Sequence, residues 1–166
     1  MRTALNAPDA ALDDNEKKFV ADIREHGWFG TNVFAESDEP GFYYTTGFWV
    51  TLGKPELIVF GLKSEIAHAV LWDVFRALRD GKVLLMRRRT ADVFGNHQAC
   101  LFSMDRSHYP KYLGWSRWFY GSDEFPSVQL VWPDRRDVFP WEPGFDPDMA
   151  RLQPDVSEGG WGVLSA

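Results

Sequence analysis

The residue types able to do chemistry are scattered along the chain. The four histidines, His26, His68, His97 and His108, share no metal-binding spacing. His97 and Cys100 come closest, but on a strand their side chains would point to opposite faces. No metal and no cofactor is expected. Cys100 is the single cysteine, so no internal disulfide can form. It lies in a predicted strand rather than at a helix N-terminus and reads as a buried, inert thiol. No G-x-S-x-G elbow, G-x-G-x-x-G turn or phosphate-binding loop occurs.

Two clusters offer material for a polar pocket. Tyr43-Tyr44-Thr45-Thr46-Gly47 puts hydroxyls on both faces of a strand, with Thr45 or Thr46 as donors from a pocket floor. The plainer reading is a strand with one polar face. Gln129 stands mid-strand and Asp134 at the strand's end. A buried glutamine needs partners for its amide, so Gln129 either faces solvent or fixes a neighbouring loop. Asp134 reads first as a turn cap and second as a general base. Tyr44, Thr45, His97, Gln129 and Asp134 are therefore the ligand or pocket candidates, and no catalytic residue is assigned.

These residues must be positioned by a small set of elements. Asp13 with Glu16 forms a capping-box pattern for a helix whose stripe is Phe19, Val20 and Ile23 and whose stop is Gly27. Residues 1–12 have no period and are expected to fray as a flexible N-terminus. Trp28 to Ala35 reads as a strand with Gly30 as a bulge, joined by a polar hairpin to a second strand, Gly41 to Val50. Gly53-Lys54-Pro55 turns the chain into Glu56 to Leu62, an apolar run suited to a central strand. A helix from Ser64 to Asp80 carries Ile66, Val70, Val74 and Leu78 beside Ala67, Leu71 and Phe75. Strands are predicted over Lys82–Met86, Gln98–Met104 and Ser127–Trp132, with a helix capped by Ser107 and ending at Gly121 between the last two. From Arg135 onward proline and glycine recur, which predicts an extended tail packing Phe139, Trp141 and Phe145 onto the body.

Length and composition suit one globular domain over residues 13–166: 166 residues, 45% hydrophobic and 16% aromatic. No signal-peptide pattern and no membrane-length apolar run is present, so a cytoplasmic location is expected. The net charge of −6 is uneven. Residues 1–40 hold nine acids and four bases, residues 41–133 eight and eleven, residues 134–166 seven and three. Acidic ends on a mildly basic middle do not make the dense basic face that a nucleic acid requires. They read first as a soluble surface with acidic termini, and second as a surface for a basic protein partner, with Trp141 and Phe145 as apolar anchors beside Asp146 and Asp148.

The blocks Gly27-Trp28, Tyr44-Thr45 with Gly47, Pro55-Glu56-Leu57, Gln129-Leu130-Val131-Trp132-Pro133-Asp134, Phe139-Pro140-Trp141 and Gln153-Pro154 together resemble a bacterial family known as domain of unknown function 4262. The match runs from about Asp13 to Pro154, and the Gln-Leu-Val-Trp-Pro-Asp block is its most specific part. Phe48 departs from the aliphatic residue of the family pattern. The resemblance implies a compact bacterial domain and brings no activity or catalytic residues.

The expected fold is α+β, an antiparallel or mixed sheet of about five to six strands with helices packed mainly on one face. Two functional classes stay open. One is a small interaction protein, of immunity or antitoxin type, that blocks a toxin-like basic partner. The other is a small enzyme or ligand-binding domain with a polar pocket on the central strands.

Overall fold

The computed structural model describes residues 1–95 and 97–162. The chain runs α1 (Asp14–His26), β1 (Phe29–Val33), β2 (Phe42–Thr46), α2 (Phe48–Leu52), β3 (Glu56–Phe60), α3 (Ser64–Arg79), β4 (Cys100–Ser103), α4 (Tyr109–Tyr112), α5 (Gly114–Tyr120) and β5 (Ser127–Val131). The five strands make one mixed sheet in the order β1-β2-β3-β5-β4. Strand β3 is antiparallel to β2 and parallel to β5, and β4 is antiparallel to β5. The parallel pair needs a long crossover, which α3 and the segments after it supply.

Strand alternation sorts the side chains into two layers. Tyr43, Leu57, Val59, Val128 and Leu130 face α3, which presents Ala67, Leu71, Val74, Phe75 and Leu78. Tyr44, Ile58 and Phe60 face the opposite side, where Phe19 and Ile23 of α1 meet Tyr109, Tyr112, Phe119 and Tyr120 of α4 and α5. That second face continues under β4 and β5, where the C-terminal tail covers Cys100, Phe102 and Val131 with Phe139 and Trp141. Three helices and the tail thus share one face and α3 holds the other.

The local signals explain most boundaries. Asp13 and Glu16 exchange both capping-box hydrogen bonds, and Gly27 closes α1 in the left-handed region. Gly121 closes α5 in the same way. The first twelve residues, expected to fray, form two 3-10 turns at Ala4–Asn6 and Asp9–Ala11. Thr3 caps the first of them, and Arg24 donates to the Leu5 carbonyl at 2.7 Å.

Several expectations need correction. Strand β2 ends at Thr46, and Phe48–Leu52 is helical, for a reason that lies in Glu56. Lys82–Met86 forms no strand: Val83 and Leu85 are 70% and 51% exposed, and among the described residues between α3 and β4 there is only an isolated bridge, Thr90 with Ala99. Ile66 lies off the buried stripe of α3 and is 48% exposed. The helix expected from Ser107 breaks at Leu113, and its first turn is capped by Asp105. The break frees the Trp115 N–H at the start of α5 to donate to the Tyr44 hydroxyl at 3.0 Å. Gly30 makes no bulge; it sits in regular register opposite Thr45. Glycine is required there because a Cβ would lie 2.0 Å from the Tyr43 hydroxyl oxygen.

Candidate functional site

The most concentrated polar chemistry lies at Glu56, which opens β3 and is fully buried. Its Oε1 accepts from the Gly47 and Trp49 N–H groups at 2.9 and 3.1 Å and from the Tyr120 hydroxyl at 2.5 Å. Its Oε2 accepts from the Thr45 hydroxyl at 2.6 Å and the Phe48 N–H at 3.2 Å. The carboxylate therefore plays the part of an N-cap for α2, which has no cap from its own sequence. Gly47 turns the chain into this cradle at φ +122°, and a Cβ there would lie 2.5 Å from the Gly27 carbonyl oxygen. Burial pushes the Glu56 carboxyl above its usual pKa, against the pull of its donors. Burial, and next the Glu56 charge, push the Tyr120 hydroxyl up as well. Five donors already hold both oxygens inside the fold, so the group is not offered to a substrate. Glu56 is a clasp that joins β2, α2, β3 and α5. An acid at the head of an otherwise apolar strand was its only sequence signal.

The five pocket candidates do not converge. The Tyr44 hydroxyl is held by Trp115 on the helical face. Thr45 donates to Glu56 and accepts from the Leu57 N–H at 3.0 Å. His97 is exposed. Cys100, its nearest partner in sequence spacing, is buried in β4, and burial pushes its thiol up to about 12. Gln129 and Asp134 serve the tail. The Gln129 Nε2 donates to the Pro154 carbonyl at 2.6 Å, and its Oε1 accepts from the Val156 N–H at 3.3 Å and the Trp161 indole at 3.1 Å. Of its two expected roles, Gln129 has the loop-fixing one. Because Tyr44 has one bond to lose and a well-packed ring to keep, Tyr44→Phe is expected to cost about 1 kcal/mol in urea denaturation.

Asp134 accepts from the N–H groups of Arg136, Val138 and Asp146 at 2.8, 3.0 and 3.0 Å. Burial works against its charged form, but those three donors outweigh it and hold the carboxyl below its usual pKa. Gln153 completes the attachment: it accepts from the Trp132 N–H at 3.0 Å and donates to the Trp132 carbonyl at 2.8 Å. The Gln-Leu-Val-Trp-Pro-Asp block is thus the seam on which the tail is fastened.

The tail candidates divide. Trp141 is half-buried, stacked on Phe139 at 4.9 Å and edge-on to Phe102 at 5.3 Å. Phe145 is half-buried, and Asp146 accepts from the Asp148 N–H at 3.0 Å to cap a 3-10 turn. Only Asp148 presents an exposed carboxylate.

A different feature stands out on the surface. Phe34, at the end of β1, is 80% exposed. It borders a groove of about 320 Å³ walled by Val33, Pro40, Phe42, Leu62 and Leu152. Beside it the hairpin carries Glu36, Asp38 and Glu39, all exposed. Glu39 is paired with Lys111 at 3.0 Å. The strand period that located β1 carried no sign that Phe34 would be left uncovered.

The fold and its seams define an α+β protein built on a five-stranded mixed sheet. Residues 22–146 match the family model described as "Domain of unknown function (DUF4262)", and the chain belongs to that family. No curated protein and no solved structure matches the chain. Among the described residues, no helix is long and apolar enough to cross a membrane.

Proposed function

We propose that the protein is a non-enzymatic interaction protein of immunity or antitoxin type, which binds and blocks a basic, toxin-like partner through the β1–β2 hairpin. The observation that carries this reading is the exposed Phe34 ring beside an apolar groove and three acidic side chains. An aromatic anchor supplies contact area, and a surrounding rim of one sign speeds encounter with the opposite sign. The reading moves the contact surface away from the tail, where Trp141 and Asp146 already serve the fold. It also fits the engagement of Tyr44, Thr45, Gln129 and Asp134 in structural hydrogen bonds.

The test uses three baits in one host lysate: the parent, Phe34→Ser, and Glu36→Lys with Asp38→Lys. The expected result is a basic protein retained by the parent and lost from Phe34→Ser, whose melting temperature stays unchanged. With the purified partner, Phe34→Ser is expected to weaken binding by about 2 kcal/mol, mainly through faster dissociation. The charge reversal should slow association and flatten its salt dependence. Equal recovery on all three baits overturns the reading.

A further inference from the structure

A second site lies at the other end of the sheet and is independent of the hairpin. A cleft of about 530 Å³ opens where β4 ends and β5 begins. Its size falls in the ordinary range for small-ligand sites. Pro55, Met86, Met104 and Val128 give it an apolar wall. Ser127 lies in its lining, 3% exposed, and its Oγ has no hydrogen-bond partner among the described residues. A buried hydroxyl without a partner is uncommon and calls for a cause.

Two of the three charged groups of the cleft are also uncommitted. Arg106 lines the cleft with an exposed side chain and forms no ion pair among the described residues. Glu158 joins the fold through its backbone N–H, which donates to the Ser103 carbonyl at 2.7 Å. Its carboxylate makes no hydrogen bond or ion pair among the described residues. Asp105, the third charge, is turned onto the Ser107 N–H at 2.9 Å as a cap. One cleft thus holds a cation and an anion that do not close on each other. A ligand bearing both signs would satisfy both.

We propose that this cleft binds a small zwitterion with an aliphatic side chain, an amino acid or short peptide, through Arg106, Ser127 and Glu158. Arg106 and the Ser127 hydroxyl take the carboxylate, since guanidinium and hydroxyl both donate to it. Glu158 takes the ammonium group, and the side chain lies on Met86, Met104 and Val128.

The experiment titrates the full chain with four probes: L-leucine, L-leucyl-L-leucine, leucinamide and N-acetyl-leucine. Calorimetry reads affinity, and amide chemical shifts locate the site. Saturable binding of leucine or leucyl-leucine is expected, with shifts centred on Ser127 and Arg106; the two zwitterions distinguish an amino acid from a peptide. Leucinamide lacks the carboxylate and N-acetyl-leucine the ammonium, so each should bind at least 10-fold more weakly, about 1.4 kcal/mol or more. Arg106→Gln and Glu158→Gln alter exposed side chains, should leave the melting temperature in place, and should each weaken the zwitterion about 10-fold or more. Ser127→Ala should weaken it as well. No saturable binding of either zwitterion, equal binding of the blocked analogues, or unchanged affinity in all three variants overturns the proposal.

Discussion

Replacing Glu56 by alanine is expected to destabilise the protein by about 4 kcal/mol or more in chemical denaturation. Each buried donor left without a partner costs roughly 1–3 kcal/mol, and removal of this carboxylate strands Gly47, Phe48, Trp49, Thr45 and Tyr120 together. Truncation also leaves a void under α2. Glu56→Gln keeps the shape but turns one acceptor into a donor, so it should fall between parent and alanine. A loss below about 1 kcal/mol for Glu56→Ala would show that α2 does not depend on this clasp. The same group gives a pH signature. Its pKa is raised in the folded state by burial, above the ordinary value of 4.5. The folded protein therefore holds this proton to higher pH than the unfolded chain does. The resulting stabilisation is complete below the ordinary value and is lost as pH rises through the folded one. Stability measured over that interval should decline with pH in the parent, and this component should vanish in Glu56→Gln.

The elements legible in the sequence are those whose causes lie within a few residues. The Asp13–Glu16 box, the Gly27 stop and the period of Ala67, Leu71 and Phe75 are local signals, and α1 and α3 follow them. The apolar runs of β3 and β5 are equally direct. The turn at Gly47 is not legible locally because its cause is a carboxylate nine residues further on. The strand expected at Lys82–Met86 fails because a short apolar run states which residues favour a strand but not whether a partner strand is beside them. The roles of the candidate site residues depend on still longer reach. Tyr44 meets Trp115 across 71 residues, and Gln129 meets the tail 25 or more residues on. Read alone, a mid-strand glutamine followed by a carboxylate resembles a site; with its partners known, it is a fastening.

That fastening carries the last expected result. Gln129→Leu preserves side-chain volume within β5 and removes three hydrogen bonds to Pro154, Val156 and Trp161. The Pro154 carbonyl and Val156 N–H then face an apolar side chain, at a cost of about 2–3 kcal/mol in all. The loss should be local first. Hydrogen exchange at Val156, Ser157 and Trp161 should rise well before exchange in α3, because the tail can lift while the α3 face of the sheet stays packed. Trp141→Ala should act in the same direction, lowering the melting temperature by releasing Phe139 and Phe102 from their aromatic cover. Both variants should bind a hairpin partner as the parent does once the folded fraction is corrected. The competing view makes Gln129 part of a pocket, and it predicts the reverse pattern: parent-like exchange in the tail, with ligand or partner affinity reduced. Unchanged exchange at the Val156 amide and the Trp161 indole N–H in Gln129→Leu would remove the fastening role, since those two groups donate directly to the oxygen that the substitution deletes.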